Sequence, residues 1–379
     1  MTIASRIQRL TLRDFRTYAS LDLAADATVV ALFGENGAGK TNILEALSFL
    51  SPGRGLRRAV LEEPARRGGP GGWIVSATIE GGLGLARLGT AYEPSEQDAA
   101  SRRIRIDGED ASSPAAFSDH LRLVWLTPEQ DGLFRGPAGD RRRFLDRLVL
   151  AIDPGHGARV SALEKALRQR NRLLEEMPPD ARWLAAIEIE IAALAVAVTA
   201  SRVETVERLS ALIAATRDDA SPFPFASIAL DGDVERLLAG EAAMRAEEKF
   251  TAILRDQRDA DRSAGRALKG PQASDFSVRH GPKDIAAADA STGEQKALLI
   301  GLILAHGRLV AAMSQLAPVL LLDEVAAHLD PRRRAALYEN IAALGAQVWM
   351  TGADEALFRK LPPGGRRFRV TPGRVEAAA

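Results

Sequence analysis

Gly34-Glu35-Asn36-Gly37-Ala38-Gly39-Lys40-Thr41 fills every position of the pattern G-x-x-x-x-G-K-[ST]. The residue types at that spacing serve one chemistry, the holding of a phosphate chain. Glycines let the backbone curl until successive N–H groups point at phosphate oxygens. A helix opening at Lys40 adds the positive end of its dipole. Lys40 is placed to reach the β- and γ-phosphates, and the Thr41 hydroxyl to ligate Mg²⁺. A second chemistry-bearing group is Asp323-Glu324, which closes the apolar run Val319-Leu320-Leu321-Leu322. There Asp323 is expected to support Mg²⁺, directly or through water, and Glu324 to polarise the attacking water as general base. Together the two groups predict a site for ATP.

These residues need particular elements around them. Thr28 to Phe33 is a short β-branched run and Thr41 to Leu47 has helical spacing, so the loop is expected between a strand and a helix. Val319 to Leu322 and Gln347 to Met350 read as buried parallel strands. Trp73 to Ile79, Leu83 to Leu88, Arg103 to Ile106 and Leu121 to Leu126 are expected to form an antiparallel layer, with Asp107-Gly108 as a hairpin turn. From Lys40 to Asp323 is 283 residues, too long for one compact phosphate-loop unit. Something must be inserted, and the apolar spacing of Val160, Leu163, Leu167 and Leu174 shows it to be helical. Pro178-Pro179 ends that helix, and Asp180 caps a longer one carrying Leu184, Ile187, Ile191, Leu194 and Val198. A third helical stretch is expected from Ala242 to Asp261. Arg367 to Val370 and Arg374-Val375 read as a terminal hairpin. The expected division is an ATPase half over residues 1–150, a helical lobe over 151–265 and a second ATPase half over 266–379.

Composition narrows the rest. The chain has 379 residues, 46% hydrophobic and 26% charged, with 50 basic and 50 acidic side chains. That balance excludes a wholesale basic coat for nucleic acid but leaves room for local basic faces. Arg54, Arg57, Arg58, Arg66 and Arg67 form one cluster; Arg141, Arg142, Arg143 and Arg147 form another. Each reads either as a set of phosphate contacts for DNA or as a face paired with this protein's many acids; Arg57 could also touch nucleotide. With no cysteine, disulfides and thiolate chemistry are excluded and a reducing compartment is favoured. The five histidines lack metal-ligand spacing. No uninterrupted apolar run reaches the roughly 18 residues of a membrane span. A soluble, cytoplasmic protein is expected.

Ser291-Thr292-Gly293-Glu294-Gln295, opening an apolar helix, resembles the signature of the ABC ATPase superfamily and also makes a capping box through Ser291 and Glu294. Ala327-His328-Leu329-Asp330 resembles the D-loop that follows the acids in that superfamily. Leu10-x-Leu12-Arg13-Asp14-Phe15-Arg16-Thr17-Tyr18, Leu50-Ser51-Pro52-Gly53-Arg54-Gly55-Leu56-Arg57, Gly136-Pro137 with Arg141-Arg142-x-Phe144-Leu145-Asp146, Gly270-Pro271-Gln272-x-x-Asp275 and Trp349-Met350-Thr351-Gly352 extend the likeness over nearly the whole chain. In all of them the chain resembles the RecF family of bacterial replication and repair proteins. It departs from the family pattern at Asp14, where asparagine is usual, at Gln272, where histidine is usual, and near Thr351, where many ABC ATPases place a switch histidine. Glu129 and Gln130 are alternatives for the Q-loop residue.

The resemblance implies an α/β fold, a P-loop ABC-ATPase head with an antiparallel β layer and an inserted helical lobe. It implies an ATP-dependent homodimer in which Ser291, Gly293 and Gln295 of one copy complete the phosphate site of the other. It further implies a weak, DNA-stimulated ATPase that binds duplex DNA and single-/double-strand junctions. Such a protein acts with RecO and RecR to load RecA at gaps and stalled forks, with ATP hydrolysis as a switch. A transport ATPase subunit is the first rival, disfavoured by the RecF-like opening and by the 283-residue separation. An ATP-locked DNA scaffold with incidental turnover is the second.

Overall fold

In the computed structural model, which describes residues 2–94, 102–325 and 329–378, residues 1–131, 218–225 and 291–379 form one unit and residues 132–217 and 226–290 another. The limits expected at 150 and 265 therefore fall inside the second unit. Its edges are set by pairing that periodicity does not reveal. Strand β10 (Ala226–Asp231) and strand β11 (Asp275–His280) lie on either side of a helical stretch and join antiparallel, with short β12 (Ile285–Ala286) beside β11. Helix α2 (Ala138–Ile152) packs on β11, with Phe144 stacked on Phe276 at 6.4 Å.

In the first unit, hydrophobic alternation makes an antiparallel layer in the order β3-β2-β5-β6-β7-β8. Its members are β2 (Arg6–Phe15), β3 (Tyr18–Ala24), β5 (Trp73–Gly81), β6 (Gly84–Tyr92), β7 (Arg102–Ile106) and β8 (Glu109–Asp110). A bulge between Ile7 and Arg9 shifts the period, so Ile7 is buried along with Leu10 and Leu12; Phe15, after Asp14 at φ 47°, is buried as well. Asp107 and Gly108 both take positive φ in the β7–β8 turn, as the Asp-Gly pair predicts.

The second sheet of this unit runs β17-β16-β4-β15-β14-β9. It contains β4 (Val29–Phe33), β9 (Leu123–Leu126), β14 (Val319–Leu322), β15 (Val348–Gly352), β16 (Gly365–Thr371) and β17 (Arg374–Ala377). All pairings are parallel except the terminal hairpin β16–β17. The Leu121 to Leu126 run was expected in the antiparallel layer and is corrected here: β9 pairs parallel with β14, Leu126 beside Leu322. Its four residues are all buried, as suits a strand covered on both faces, and an apolar run of that length does not declare its pairing. Short β1 (Ile3–Ala4) and β13 (Leu316–Ala317) pair alongside.

Helix α1 (Lys40–Ser48) shares one core with both sheets, through Ile43, Leu44 and Leu47 beside Val30, Leu32, Trp349, Trp73 and Phe15. Gln347 ties the layers further. Its buried amide donates to the Ile7, Ala25 and Ala27 carbonyls and accepts from the Ile7 N–H at 2.8 Å. Arg102 caps the other end of α1, donating to the carbonyls of Phe49, Ser51 and Gly53. Burial pulls its guanidinium down to about 9.

The helical unit contains α3 (His156–Glu175), α4 (Ala181–Ala215), α5 (Asp233–Gly240), α6 (Ala243–Asp256) and α7 (Arg258–Ala264). Asp180 caps α4 as expected, accepting from the N–H groups of Arg182 and Trp183. Both α4 and, in the first unit, α8 (Thr292–Ser314) are long and apolar enough by composition to cross a bilayer. Half of the apolar window of α4 and 72% of that of α8 is buried in protein, as in core helices.

Inside this unit Asp146 accepts from Arg202 through both oxygens, at 2.8 and 2.9 Å, and lies 2.8 Å from His156 Nε2. Burial alone would raise its carboxyl, yet those partners hold it below the ordinary 3.8. A depressed folded pKa means stability that is present above the unfolded value and lost as pH falls through the folded one. Asp146→Asn is thus expected to cost about 3 kcal/mol near neutrality by leaving a buried guanidinium without its carboxylate. The gap between variant and wild type should close as pH falls below 3.8; urea titrations across pH 3 to 7 check it.

Candidate nucleotide site

The phosphate loop is built as its glycines predict. Gly34, Gly37 and Gly39 take φ of 154°, 84° and 110°. A Cβ on Gly34 would sit 2.2 Å from the Val370 carbonyl oxygen, so β16 packs where only glycine fits. Glu35, Asn36 and Gly37 are exposed, whereas Ala38, Gly39 and Lys40 are buried. Lys40 Nζ donates back to the Gly34 and Glu35 carbonyls at 2.7 and 2.9 Å, which keeps the ammonium under the curl of the loop. Burial draws Lys40 below its ordinary value against the opposing pull of Glu324 and Asp323.

Across 282 residues of sequence, Thr41 Oγ1 donates to Asp323, with Oδ1 at 2.9 Å and Oδ2 at 3.0 Å. The two expected Mg²⁺ ligands therefore meet. A hydroxyl and a buried carboxylate are hard oxygen donors of the kind Mg²⁺ takes in ones and twos when substrate phosphates and water complete its octahedron. Burial raises the Asp323 carboxyl, while hydrogen bonds from Thr351 and Thr41 and the charge of Arg57 oppose that rise. A bound cation would oppose it further.

Thr351 is the member of this site that sequence reasoning placed nearby without a role. Its hydroxyl is fully buried, donates to Asp323 Oδ1 at 2.6 Å and accepts from the Glu324 N–H at 2.8 Å. One side chain at the end of β15 thus fixes both acids at the end of β14. Glu324 adopts φ of 54°, a conformation side-chain-bearing residues rarely take and which concentrates at functional sites. Its carboxylate makes no hydrogen bond or ion pair among the described residues, so it is available to a water.

Behind the loop, the Phe15-Arg16-Thr17-Tyr18 segment is the β2–β3 turn, and it clamps α1. Tyr18 donates to the Gly39 carbonyl at 3.1 Å, with its phenol pushed up by burial. Thr17 Oγ1 accepts from Asn42, and Arg16 grips Glu45 through two bonds. Arg57, from the segment after α1, donates to Asn42 Oδ1 at 3.0 Å and to Glu45 Oε2 at 2.9 Å. Glu45 is fully buried and holds both arginines against the phosphate helix.

The signature segment is only partly as expected. Ser291 and Gly293 are exposed, and among the described residues no atom outside the helix's own first turn lies within 4 Å of where a Gly293 Cβ would point, which leaves that face open to an incoming surface. Ser291 and Glu294 form the capping box. Gln295 instead is 3% exposed and faces inward. Of the two Q-loop alternatives, Gln130 accepts from the Thr127 N–H at 3.2 Å in a local cap and Glu129 is exposed. Ala327-His328 of the expected D-loop lies outside the described residues.

Most of the second basic cluster is engaged within the helical unit, and only Arg143 is exposed. Arg141 binds Asp275 through two bonds, Arg142 donates to the Ser274 carbonyl, Arg143 pairs with Asp140, and half-buried Arg147 packs on the Phe144 ring. In the first cluster Arg57 and Arg66 are paired with Glu45 and Asp14, while Arg54 and Arg67 are exposed.

The chain is 52% identical, over 97% of its length and 98% of the relative, to the DNA replication and repair protein RecF of Rhizobium meliloti. It is 50% identical to the RecF protein of Mesorhizobium japonicum, over 99% of this chain and 98% of that one. Two family models match, an AAA domain over residues 9–60 and an "AAA domain, putative AbiEii toxin, Type IV TA system" over residues 183–351. Among solved structures, "the recombination mediator protein RecF-ATP in RecFOR pathway" matches with a TM-score of 0.85 at 21% identity, covering 100% and 99% of the two chains. An Smc head domain from Pyrococcus furiosus matches with a TM-score of 0.52 at 14% identity, covering 99% and 96%. The fold is therefore that of a RecF- and SMC-type ATPase head.

Proposed function

The chain belongs to the RecF family of DNA replication and repair proteins, and from that premise we propose that it is an ATP-gated recombination mediator. ATP binds on Gly34 to Thr41, and Lys40 neutralises the phosphates. Thr41 and Asp323 hold Mg²⁺, which screens the phosphate charge and orients the γ-phosphate. Glu324 orients and deprotonates the attacking water. The carrying observation is the bond from Thr41 to Asp323 with Thr351 bridging to the Glu324 backbone.

Two copies close on ATP, with Ser291 and Gly293 of each facing the nucleotide of the other, where a serine hydroxyl and a helix N-terminus suit a γ-phosphate. Gln295 supports that turn from inside its own subunit. The closed dimer retains DNA, either duplex or at single-/double-strand junctions. Slow, DNA-stimulated hydrolysis reopens it, and RecO and RecR act with it to load RecA in the cytoplasm. Arg54 and Arg67 remain as candidate phosphate contacts; Arg141, Arg142 and Arg147 do not, because they serve the helical unit.

Sedimentation of wild type and Lys40→Met, with and without ATP-Mg²⁺ and a gapped duplex, tests the reading. Wild type is expected to dimerise only with ATP and then retain the duplex, and Lys40→Met to stay monomeric, with ATP affinity down at least about a hundredfold. A wild type that stays monomeric and binds DNA equally without ATP would sink the clamp.

A further inference from the structure

The signature turn is held from outside its own helix. Arg333 lies in the first turn of α9 (Pro331–Leu344). Its Nη1 donates to the Gly293 carbonyl at 3.4 Å and its Nε to the Pro222 carbonyl at 3.3 Å. Asp330, which caps α9 by accepting from the Arg333 N–H at 2.9 Å, lies 3.8 Å from the same guanidinium. Arg332 beside it donates to the Ala220 carbonyl at 3.3 Å.

Pro222 and Ala220 belong to the segment 218–225, which packs within the ATPase unit although the chain on both sides of it belongs to the helical unit. That strap crosses α8 at Gly301. A Cβ there would lie 3.2 Å from the Pro224 carbonyl oxygen, tighter than most side chains come, and in ordinary contact with Phe223 Cβ at 3.5 Å. The strap is thus seated on the signature helix and pinned to α9, and Arg333 alone of the two arginines also holds the signature turn.

The helix dipoles do not account for this placement. A cation at the first turn of a helix opposes the helix dipole, and Arg333 sits at the first turn of α9 and against that of α8. Ser291 and Gly293 themselves are exposed, so apart from the Ser291–Glu294 cap no burial of their own fixes the turn.

We infer that Arg333 is a positioning residue for the composite site. It fixes the first turn of α8 so that the Ser291 hydroxyl and the open face at Gly293 meet the nucleotide on a partner's phosphate loop. This rests on the trans reading proposed above.

Mixed dimers test it. Arg333→Gln is expected to lower ATP turnover at least about tenfold, because small misplacements of a positioning group cost that much. ATP binding to its own phosphate loop should be unchanged, and Arg332→Gln, which loses only the Ala220 contact, should stay within about twofold of wild type. Arg333→Lys keeps the charge and the α9 fold but not the fork that spans several acceptors, so it should behave like Arg333→Gln.

Mixing Arg333→Gln with Glu324→Gln should then restore activity. In the mixed dimer, one site joins the intact phosphate loop and base of the first variant to the intact signature of the second. At equal mixing this returns about a quarter of wild-type turnover per subunit, since half of the dimers are mixed and each has one intact site. Ser291→Arg mixed with Glu324→Gln is the reference. Restoration by Ser291→Arg without restoration by Arg333→Gln overturns the assignment of Arg333, as does full turnover in Arg333→Lys. Failure of both mixtures overturns the trans reading and Arg333 with it.

Discussion

Glutamine at position 324 is expected to cut ATP turnover by about 10²–10⁴-fold, the share a positioned general base contributes, while ATP binding and ATP-dependent dimerisation persist. Glutamine matches glutamate in shape, so the bond from the Glu324 N–H to Thr351 and the positive φ at this position are unchanged by the exchange. What is lost is a carboxylate that no hydrogen bond or ion pair occupies among the described residues, and with it the proton acceptor for the attacking water. The Thr41–Asp323 pair is untouched, so the metal site stays intact. The expected phenotype is a trapped dimer that holds DNA and fails to cycle. Single-turnover phosphate release checks the chemistry and sedimentation checks the trap. Turnover within tenfold of wild type would remove Glu324 as the general base, whereas lost turnover with cycling and repair intact would make hydrolysis incidental and favour the ATP-locked scaffold.

Much of this site was legible because phosphate chemistry dictates residue types at fixed spacing. Gly34 to Thr41 could be read as a loop before a helix opening at Lys40, and Asp323-Glu324 as acids at a strand end, without any knowledge of distance. Thr351 was not legible in the same way. A threonine at the end of an apolar strand carries no signal of its own, and its role exists only because β15 pairs with β14 in the register Leu322↔Met350. Parallel pairing also hid the place of β9, since four buried residues look the same in any fully covered strand.

The arginines make the converse point. Arg141, Arg142, Arg143 and Arg147 are consecutive enough in sequence to look like one charged face. Three facts that only the fold supplies take Arg141, Arg142 and Arg147 out of it. Asp275 and the Ser274 carbonyl come from 134 and 132 residues away, and Arg147 turns onto Phe144 within its own helix. Helical spacing separates neighbours in sequence by direction, so a run of like charges is a run of different environments. Two motifs of the family resemblance, around Arg141 and around Gly270 to Asp275, are thereby explained as two sides of one interior: Arg141 on Asp275, and Arg202 joining Asp146 to the Pro271 carbonyl. Gln272, which stands where the family pattern has histidine, donates to the Lys269 carbonyl at 2.6 Å and holds that turn.

A deeper ionic cluster in the helical unit predicts the largest loss of stability. Arg170 on α3 is fully buried and bonds Glu188 on α4 at 3.1 Å, Asp261 on α7 at 2.6 Å and the Leu254 carbonyl on α6 at 2.6 Å. Glu188 is fully buried as well and keeps Arg258 as a second partner, whereas the Asp261 carboxylate has, among the described residues, only the Leu268 N–H at 2.9 Å beyond Arg170. Removing the guanidinium therefore strands a buried carboxylate. Arg170→Met, which preserves most of the side-chain volume, is expected to destabilise this unit by about 3–5 kcal/mol, the range for breaking a buried pair from one side. If the loss is the unpaired charge and not the packing, adding Asp261→Asn should return a large part of it, since an amide is cheaper to bury than an anion. Urea unfolding followed by helical circular dichroism reads both variants. A double variant no more stable than Arg170→Met would assign the loss to the shape of the arginine, which spans four helices, and not to its charge.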